Sequence, residues 1–312
     1  MKRRPLGRSG LEVTPICLGC APLGSMRRDF GYEVPLERAL DTLRAFFSSG
    51  LNFLDTSNGY GGGESERRIG IVLAEMGELP PGFVLSTKID PDPETGSFDG
   101  DRAWRSLEES LGRLGVDHVD LLHLHDPERI GFDLAMAKGG PVQALVAMRE
   151  QGLATAIGVA GGPVGMLEEF LDTEMFDVVL THNRYTLLDR SAQPLIEKAN
   201  AASVGVMNAA VFSGGILAKG PSAMPRYAYK PLDETIRHYI EELYATAGRF
   251  GFDLRAAAIQ FSLRMPAIGS TVVGASHPNH LEEVVKLATE PIDEQAWREL
   301  ENCVLPMQHW LG

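Results

Sequence analysis

Phe53-Leu54-Asp55-Thr56-Ser57-Asn58-Gly59-Tyr60-Gly61 closes a short apolar run with a carboxylate and then turns a phenol back beside it. A buried carboxylate is costly unless paired, and a tyrosine set among glycines is poorly placed to pack a core. Both side chains therefore point to chemistry at the end of a strand. Two later runs end in the same manner. Val84-Leu85-Ser86-Thr87-Lys88 is largely apolar or β-branched up to its lysine, and Val119-Asp120-Leu121-Leu122-His123-Leu124-His125-Asp126-Pro127 reaches a histidine before a turn. Strand ends carrying Asp and Tyr, Lys, and His meet if the strands run parallel and their ends share one face.

The rest of the chain supplies such strands. Short β-type runs alternate with amphipathic stretches from end to end, the pattern of parallel strands with helical crossovers. Eight strands are predicted, near 16–20, 51–55, 83–88, 119–125, 156–160, 177–183, 205–210 and 270–275. Between them, Ala39, Leu40, Leu43, Phe46 and Phe47, and again Trp104, Leu107, Leu111 and Leu114, recur at helical spacing and form stripes for a core. No linker divides the chain, so residues 1–312 read as one domain whose simplest closure is a (β/α)8 TIM barrel. A doubly wound sheet would place Gly-x-Gly-x-x-Gly after its first strand, where Leu18-Gly19-Cys20-Ala21-Pro22-Leu23-Gly24 stands instead. Gly61-Gly62-Gly63 lacks the Lys-Ser/Thr of a phosphate loop and reads as a turn before a helix starting near Glu64.

Composition narrows the function. The 312 residues are 44% hydrophobic and carry a formal charge of −13, which opposes nucleic acid or an anionic membrane as the main partner. No apolar run approaches a membrane span, and Gly7, Arg8, Ser9 and Gly10 interrupt any signal-peptide core. The three cysteines, Cys17, Cys20 and Cys303, are too few for a disulfide framework and fit a reducing cytoplasm. Cys17 and Cys20 form a CxxC, but it opens no helix and has no second ligand cluster, so both read as buried thiols. No nucleophile is set against a base, and no His/Glu cluster has metal-ligand spacing, so no metal is expected.

Asp, Tyr, Lys and His in this order, each at a strand end, resemble the aldo-keto reductase family over nearly the whole chain. The string from Asp55 to Glu66 is similar to a family signature, and Asp120 to Pro127 is similar to the segment carrying the family's histidine. The resemblance implies catalytic roles for Asp55, Tyr60, Lys88 and His125. Tyr60 would exchange a proton with the substrate oxygen, acting as base in oxidation, and His125 would orient that oxygen. Lys88 would lower the pKa of Tyr60, and Asp55 would keep Lys88 charged. Taken singly, the same residues fit a structural ion pair, a loop aromatic and a strand cap. His123 reads as a hydrogen-bonded core histidine.

The string from Val272 to Glu283 resembles the family's adenine-phosphate segment, a strand followed by a helix N-terminus, which suits anions. It implies cofactor contacts at Gly274, Ala275, Ser276, His280 and Glu283, with others at His182, Phe212, Ser213 and Gly214. Asn208, or the Ala209-Ala210 backbone, falls where other members stack an aromatic ring on the nicotinamide. Gly274 and His280 stand where NADP-binding members have Lys and Arg, so NAD is the expected cofactor, with NADP possible.

Asn208 to Leu217, the His125-Asp126-Pro127 turn and Arg226-Tyr227-Ala228-Tyr229 look like the family's aldose 1-dehydrogenase branch. Asp126 would accept hydrogen bonds from sugar hydroxyls, although it equally suits a turn before Pro127. Asn58, Tyr227 and Tyr229 are the other substrate candidates, the tyrosines as a lid or as cover for the barrel mouth. The implied reaction is oxidation of the C1 hydroxyl of a free monosaccharide, of L-fucose or D-arabinose type, to the lactone. The alternatives are an NADPH-dependent reductase of aldehydes or ketones, including pyridoxal-like substrates, and a regulatory subunit that senses nicotinamide nucleotide.

Overall fold

Alternation along the strands decides what faces the barrel axis. In the computed structural model, which describes residues 1–228 and 230–312 apart from the side chains of 28 and 29, eight strands pair in parallel and close on themselves. They are β1 (Ile16–Gly19), β2 (Phe53–Asp55), β3 (Val84–Ile89), β4 (Val119–His125), β5 (Ala154–Gly161), β6 (Val178–His182), β7 (Gly205–Ala209) and β8 (Ser270–Gly274). Each overlaps the run predicted for it. β8 pairs with both β1 and β7, which completes the TIM barrel. Tyr229 lies outside the described residues.

Phe53 shares the interior with Cys17, Leu121, Ala156, Leu180, Met207 and Val272, whereas the alternate residues Leu18, Leu54 and Leu122 join the layer between strands and helices. Register then sets the mouth. Asp55 pairs with Ser86, Lys88 with His123, and His125 with Ala160. The floor is closed by an N-terminal ribbon in which Arg4–Pro5 pairs with Glu12–Val13 and which drives Leu6, Leu11 and Val13 into the interior. Leu6 lies against the starts of β7 and β8, where a Cβ on Gly205 or Gly269 would fall 2.7 or 2.6 Å from its atoms.

The helices follow from their sequence signals. In Gly100–Leu114 the Asp99 side chain caps the first turn by accepting from the Arg102 amide, and Gly115 ends the helix in the left-handed region. Its Leu107 and Leu114 are buried, with Trp104 and Leu111 packed at their side. The helix predicted near Glu64 runs Glu64–Met76. Cys17 and Cys20 are buried thiols whose pKa burial pushes well up, so neither is poised for redox chemistry. Among the described residues, no helix is long and apolar enough to cross a membrane.

Candidate active site

The ends of β2, β3 and β4 bring Asp55, Tyr60, Lys88 and His125 together. Lys88 Nζ donates to Asp55 Oδ2 at 2.6 Å and to the Thr56 carbonyl at 2.6 Å, and reaches Tyr60 Oη at 3.4 Å. Ser86 Oγ completes the carboxylate by donating to Oδ1 at 3.0 Å. Lys88 is 1% exposed and Asp55 3%, so the pair is a buried one. Burial by itself lowers an ammonium pKa, but the Asp55 carboxylate in direct contact outweighs it and Lys88 is held raised and protonated.

Tyr60 meets His125 edge to face, with ring centroids 5.7 Å apart. The loop that places it depends on glycine: at Gly61, φ is +63° and a Cβ would lie 2.0 Å from the Gly24 carbonyl oxygen. Burial pushes the Tyr60 phenol up, and the opposing charge of Lys88 does not reverse this. The expected lowering by Lys88 is therefore overridden in this structure, because the ring is enclosed and Lys88 spends its strongest contacts on Asp55 and Thr56.

Asp90, absent from the sequence expectation, is the partner of His125. Its Oδ1 lies 2.7 Å from His125 Nδ1, and its Oδ2 accepts from the Gly59 amide at 2.8 Å and from the Ser57 hydroxyl. Burial raises a carboxyl pKa, yet the His125 charge and these donors bring Asp90 down to about 2. Reciprocally, burial lowers an imidazole, but Asp90 and Asp126 outweigh it and His125 is raised. Asp90 was legible as a residue two beyond Lys88 and hence on the same face of the chain. His123 is a core residue as expected, yet neither ring nitrogen has a hydrogen-bond partner among the described residues, and burial pushes its pKa well down. The expected hydrogen bond is missing because the ring faces the interior against Gly158.

Three further polar groups gather beside His125. Asp126, Glu128 and His182 place one polar atom each within 4.8 Å of one another, and Asp126 Oδ1 is 3.7 Å from His125 Nε2. Asp126 adopts the left-handed region and its Oδ2 accepts from Arg129 at 2.9 Å. Glu128 Oε1 accepts from the Gly162 amide, while its buried Oε2 has no partner among the described residues. Burial lowers His182 to about 4, against the pull of Asp126, so its imidazole is neutral. Glu128 was missed because its neighbour His182 is far away in sequence.

Other expected residues are placed elsewhere. The Asn58 amide donates to the Ser106 carbonyl at 2.9 Å and to Glu109 at 3.0 Å, and its oxygen accepts from Arg102, so this side chain braces the wall and does not face a substrate. Asn208 donates to the Tyr185 carbonyl and to Ser262 Oγ, each at 2.9 Å, which turns it toward the helical layer; its neighbour Ala209 packs on the interior cluster. Tyr227 is packed into the main core, with its buried hydroxyl unpartnered among the described residues, and is not an exposed lid.

A groove leads away from the mouth between the loop after β7 and the end of β8. Phe212, Gly214, Gly274, Ser276, His280 and Glu283 line it. Ser213 and Ala275 instead turn buried side chains into the wall. Gly274 suits close approach, since a Cβ there would sit 3.0 Å from Pro22 Cγ. His280 lies in the first turn of helix Asn279–Leu287, and Glu283 pairs with Arg255 at 2.8 Å. A groove that reaches the first turn of a helix suits a ligand carrying phosphates.

A closed barrel with ionisable side chains gathered at its mouth and a groove beside them has the form of a barrel enzyme. The sequence profile of the Aldo/keto reductase family matches residues 15–305, and the chain belongs to that family. It is thus an oxidoreductase that works with a nicotinamide cofactor on a small molecule. It is 32% identical to a D-threo-aldose 1-dehydrogenase from Pseudomonas sp, over 95% of this chain and 96% of that one. An L-galactose dehydrogenase from Arabidopsis thaliana is 31% identical over 98% of this chain and 95% of its own, and a pyridoxal 4-dehydrogenase from Microbacterium luteolum 28% identical over 96% and 97%. The fold matches an aldo-keto reductase from Bacillus halodurans with a TM-score of 0.78 at 20% identity, covering 99% of both chains.

Proposed function

We propose that this protein oxidises the C1 hydroxyl of a free aldose, of L-fucose or D-arabinose type, to the lactone, with NAD preferred. The observation that carries the substrate class is the Asp126, Glu128 and His182 cluster, rich in acceptors and set beside His125. A sugar brings several hydroxyl donors to the oxygens that their protein partners leave free, Glu128 Oε2 among them, whereas an apolar aldehyde brings none, a difference of roughly 1–3 kcal/mol per hydrogen bond. Two relatives named for aldose and galactose oxidation support the same reading.

Tyr60 and His125 are assigned to the reacting oxygen, which they approach from the ends of β2 and β4, on either side of β3. Tyr60 is assigned the proton exchange with that oxygen, taking the proton in oxidation and returning it in reduction, and Lys88 with Asp55 holds its hydroxyl in place. Phe212, Gly214, Gly274, Ser276, His280 and Glu283 hold the cofactor. When bound, the nicotinamide supplies the hydride acceptor. NAD is preferred because Gly274 and His280 stand where NADP-binding members carry Lys and Arg, burial keeps His280 below its ordinary pKa, and Arg255, the nearby cation of the groove, is engaged by Glu283.

The test is cofactor reduction by the purified protein with NAD or NADP and L-fucose, D-arabinose, L-galactose, pyridoxal and unrelated alcohols, with Tyr60→Phe as control. Turnover of a subset of aldoses with NAD, lost in the variant, is expected. Activity confined to NADPH-dependent reduction of simple aldehydes overturns the substrate assignment. Tight nucleotide binding with no turnover of any compound would instead favour a sensing role.

A further inference from the structure

One face of the helix Gly100–Leu114 grips both chain segments from which Tyr60 and Lys88 reach the mouth. Arg102, Ser106, Glu109 and Arg113 recur at intervals of three and four and so share that face. On the Lys88 side, Arg102 Nε donates to the Asp90 carbonyl at 3.0 Å, and Ser106 Oγ accepts from the Asp90 amide at 2.9 Å. On the Tyr60 side, Arg113 Nη1 donates to the Asn58 carbonyl at 3.0 Å, and its guanidinium lies so near Gly63 that a Cβ there would fall 2.5 Å from Cζ. Glu109 joins the two sides. Its Oε1 accepts from Arg102 at 2.8 Å, and its Oε2 accepts from Asn58 at 3.0 Å and from Arg113 at 3.5 Å. Arg113 is oriented in turn by the fully buried Glu66 at 3.1 Å, whose other oxygen accepts from Thr87 on β3.

We propose that Arg102, Glu109 and Arg113 are positioning residues for the reaction: together they tie the Tyr60 loop to the strand end that carries Lys88, and so set the 3.4 Å contact between Lys88 Nζ and Tyr60 Oη. This rests on the assignment of proton exchange to Tyr60 above. The three side chains bind the chain beside Tyr60 and Lys88 in sequence, so their effect on the substrate passes through the loop.

The loop by itself is poorly suited to hold a phenol in place. Gly59, Gly61, Gly62 and Gly63 flank Tyr60 and leave many backbone conformations open, so the ring's position depends on groups that grip the loop from outside. Guanidinium groups suit that task, being planar and donating from several nitrogens at once, and Glu66 and Glu109 balance the two positive charges. The precision matters because a misplacement of about 1 Å at the reacting group costs on the order of a hundredfold in rate.

The experiment compares the wild type with Glu109→Gln, Arg113→Lys and, as a control, Arg149→Gln, which breaks an ion pair with Asp177 elsewhere in the molecule. Glu109 is partly exposed, which makes its replacement the milder of the two, and thermal unfolding verifies that each variant folds. Hydrogen-exchange mass spectrometry of the cofactor-free protein reads the loop, and kcat and KM are measured with L-fucose and NAD and with 4-nitrobenzaldehyde and NADPH. Glu109→Gln and Arg113→Lys are expected to raise exchange over residues 57–63 by roughly ten- to a hundredfold while β4 stays protected. Both should lower kcat by about ten- to a hundredfold, with KM for the cofactor changed by less than about threefold. Lysine at position 113 keeps the charge, so the loss there marks the missing fork of donors. Arg149→Gln should match the wild type in kcat and in exchange over 57–63. Unchanged exchange over 57–63 overturns the proposal, as does a wild-type kcat in both variants or an equal loss of kcat in the control. Tyr60→Phe separates this proposal from the reading beneath it: full activity in that variant removes the assignment of Tyr60, whereas an inactive Tyr60→Phe beside a fully active Glu109→Gln removes the brace alone. If only 4-nitrobenzaldehyde reacts, the aldose reading fails and the brace is judged on that reaction.

Discussion

Gly158 on β5 stands against His123 so closely that a Cβ on the glycine would fall 2.3 Å from the imidazole Nδ1. The ring fills the interior directly beneath the mouth because its neighbour on the next strand has no side chain. Gly158→Ala is expected to destabilise the protein by about 1–3 kcal/mol through overpacking, measured by urea unfolding. Adding His123→Ala should recover part of the loss, since it removes the clash and two unpartnered buried nitrogens.

Asp55 and Lys88 form a buried pair, and breaking one side leaves the other charge uncompensated. Asp55→Asn should cost about 3–5 kcal/mol, more than an exposed pair would. The double variant Asp55→Leu/Lys88→Met should cost less than the sum of its single changes, and a double-mutant cycle by chemical denaturation gives the coupling. Both variants should lose turnover, because Lys88, which contacts the Tyr60 hydroxyl, loses its carboxylate partner in one and is absent from the other.

Stability should depend on pH through Asp90 and His125. Asp90 falls to about 2 in the folded state, so its contribution is present above the unfolded value near pH 4 and is lost as pH drops toward 2. His125 is raised, so its contribution is complete below about pH 6.5 and is lost as pH rises through the folded value. The stability difference between wild type and Asp90→Asn is expected to be largest between those limits and to shrink on either side. A difference that grows steadily above pH 7 would contradict the assignment.

Asp126→Ala should raise KM for an aldose by roughly ten- to a hundredfold while changing KM for 4-nitrobenzaldehyde little, because only the sugar offers hydroxyls to the missing carboxylate. Equal changes for both compounds would reduce Asp126 to a turn residue before Pro127.

His280→Arg should shift the NAD to NADP ratio of kcat/KM toward NADP by about tenfold or more through a charge-assisted phosphate contact. An unchanged ratio places the distal phosphate away from this helix turn.

Much of this could be read from sequence for a simple reason: each barrel strand is a short apolar run, and Asp55, Lys88 and His125 are the polar residues that interrupt such runs near their ends. What could not be read was which way borderline residues turn. Asn208 is one position off the inward-facing Ala209, and a single step along a strand exchanges interior for helical layer. Asn58 lies in a loop where no periodicity applies, and its partners Arg102, Ser106 and Glu109 come from a helix more than forty residues away. Tyr227 looked like a loop aromatic, but burial depends on what packs over it. The raised pKa of Tyr60 likewise depends on enclosure, which the neighbouring Lys88 in the sequence does not reveal.

The ribbon that drives Leu6, Leu11 and Val13 between the strand starts makes the barrel a cup with a solid base. Traffic in and out uses one rim, so reactant and product queue at the same doorway. New specificities can be written into the rim loops, around Asp126 and Glu128, while the base that keeps the vessel standing is left untouched.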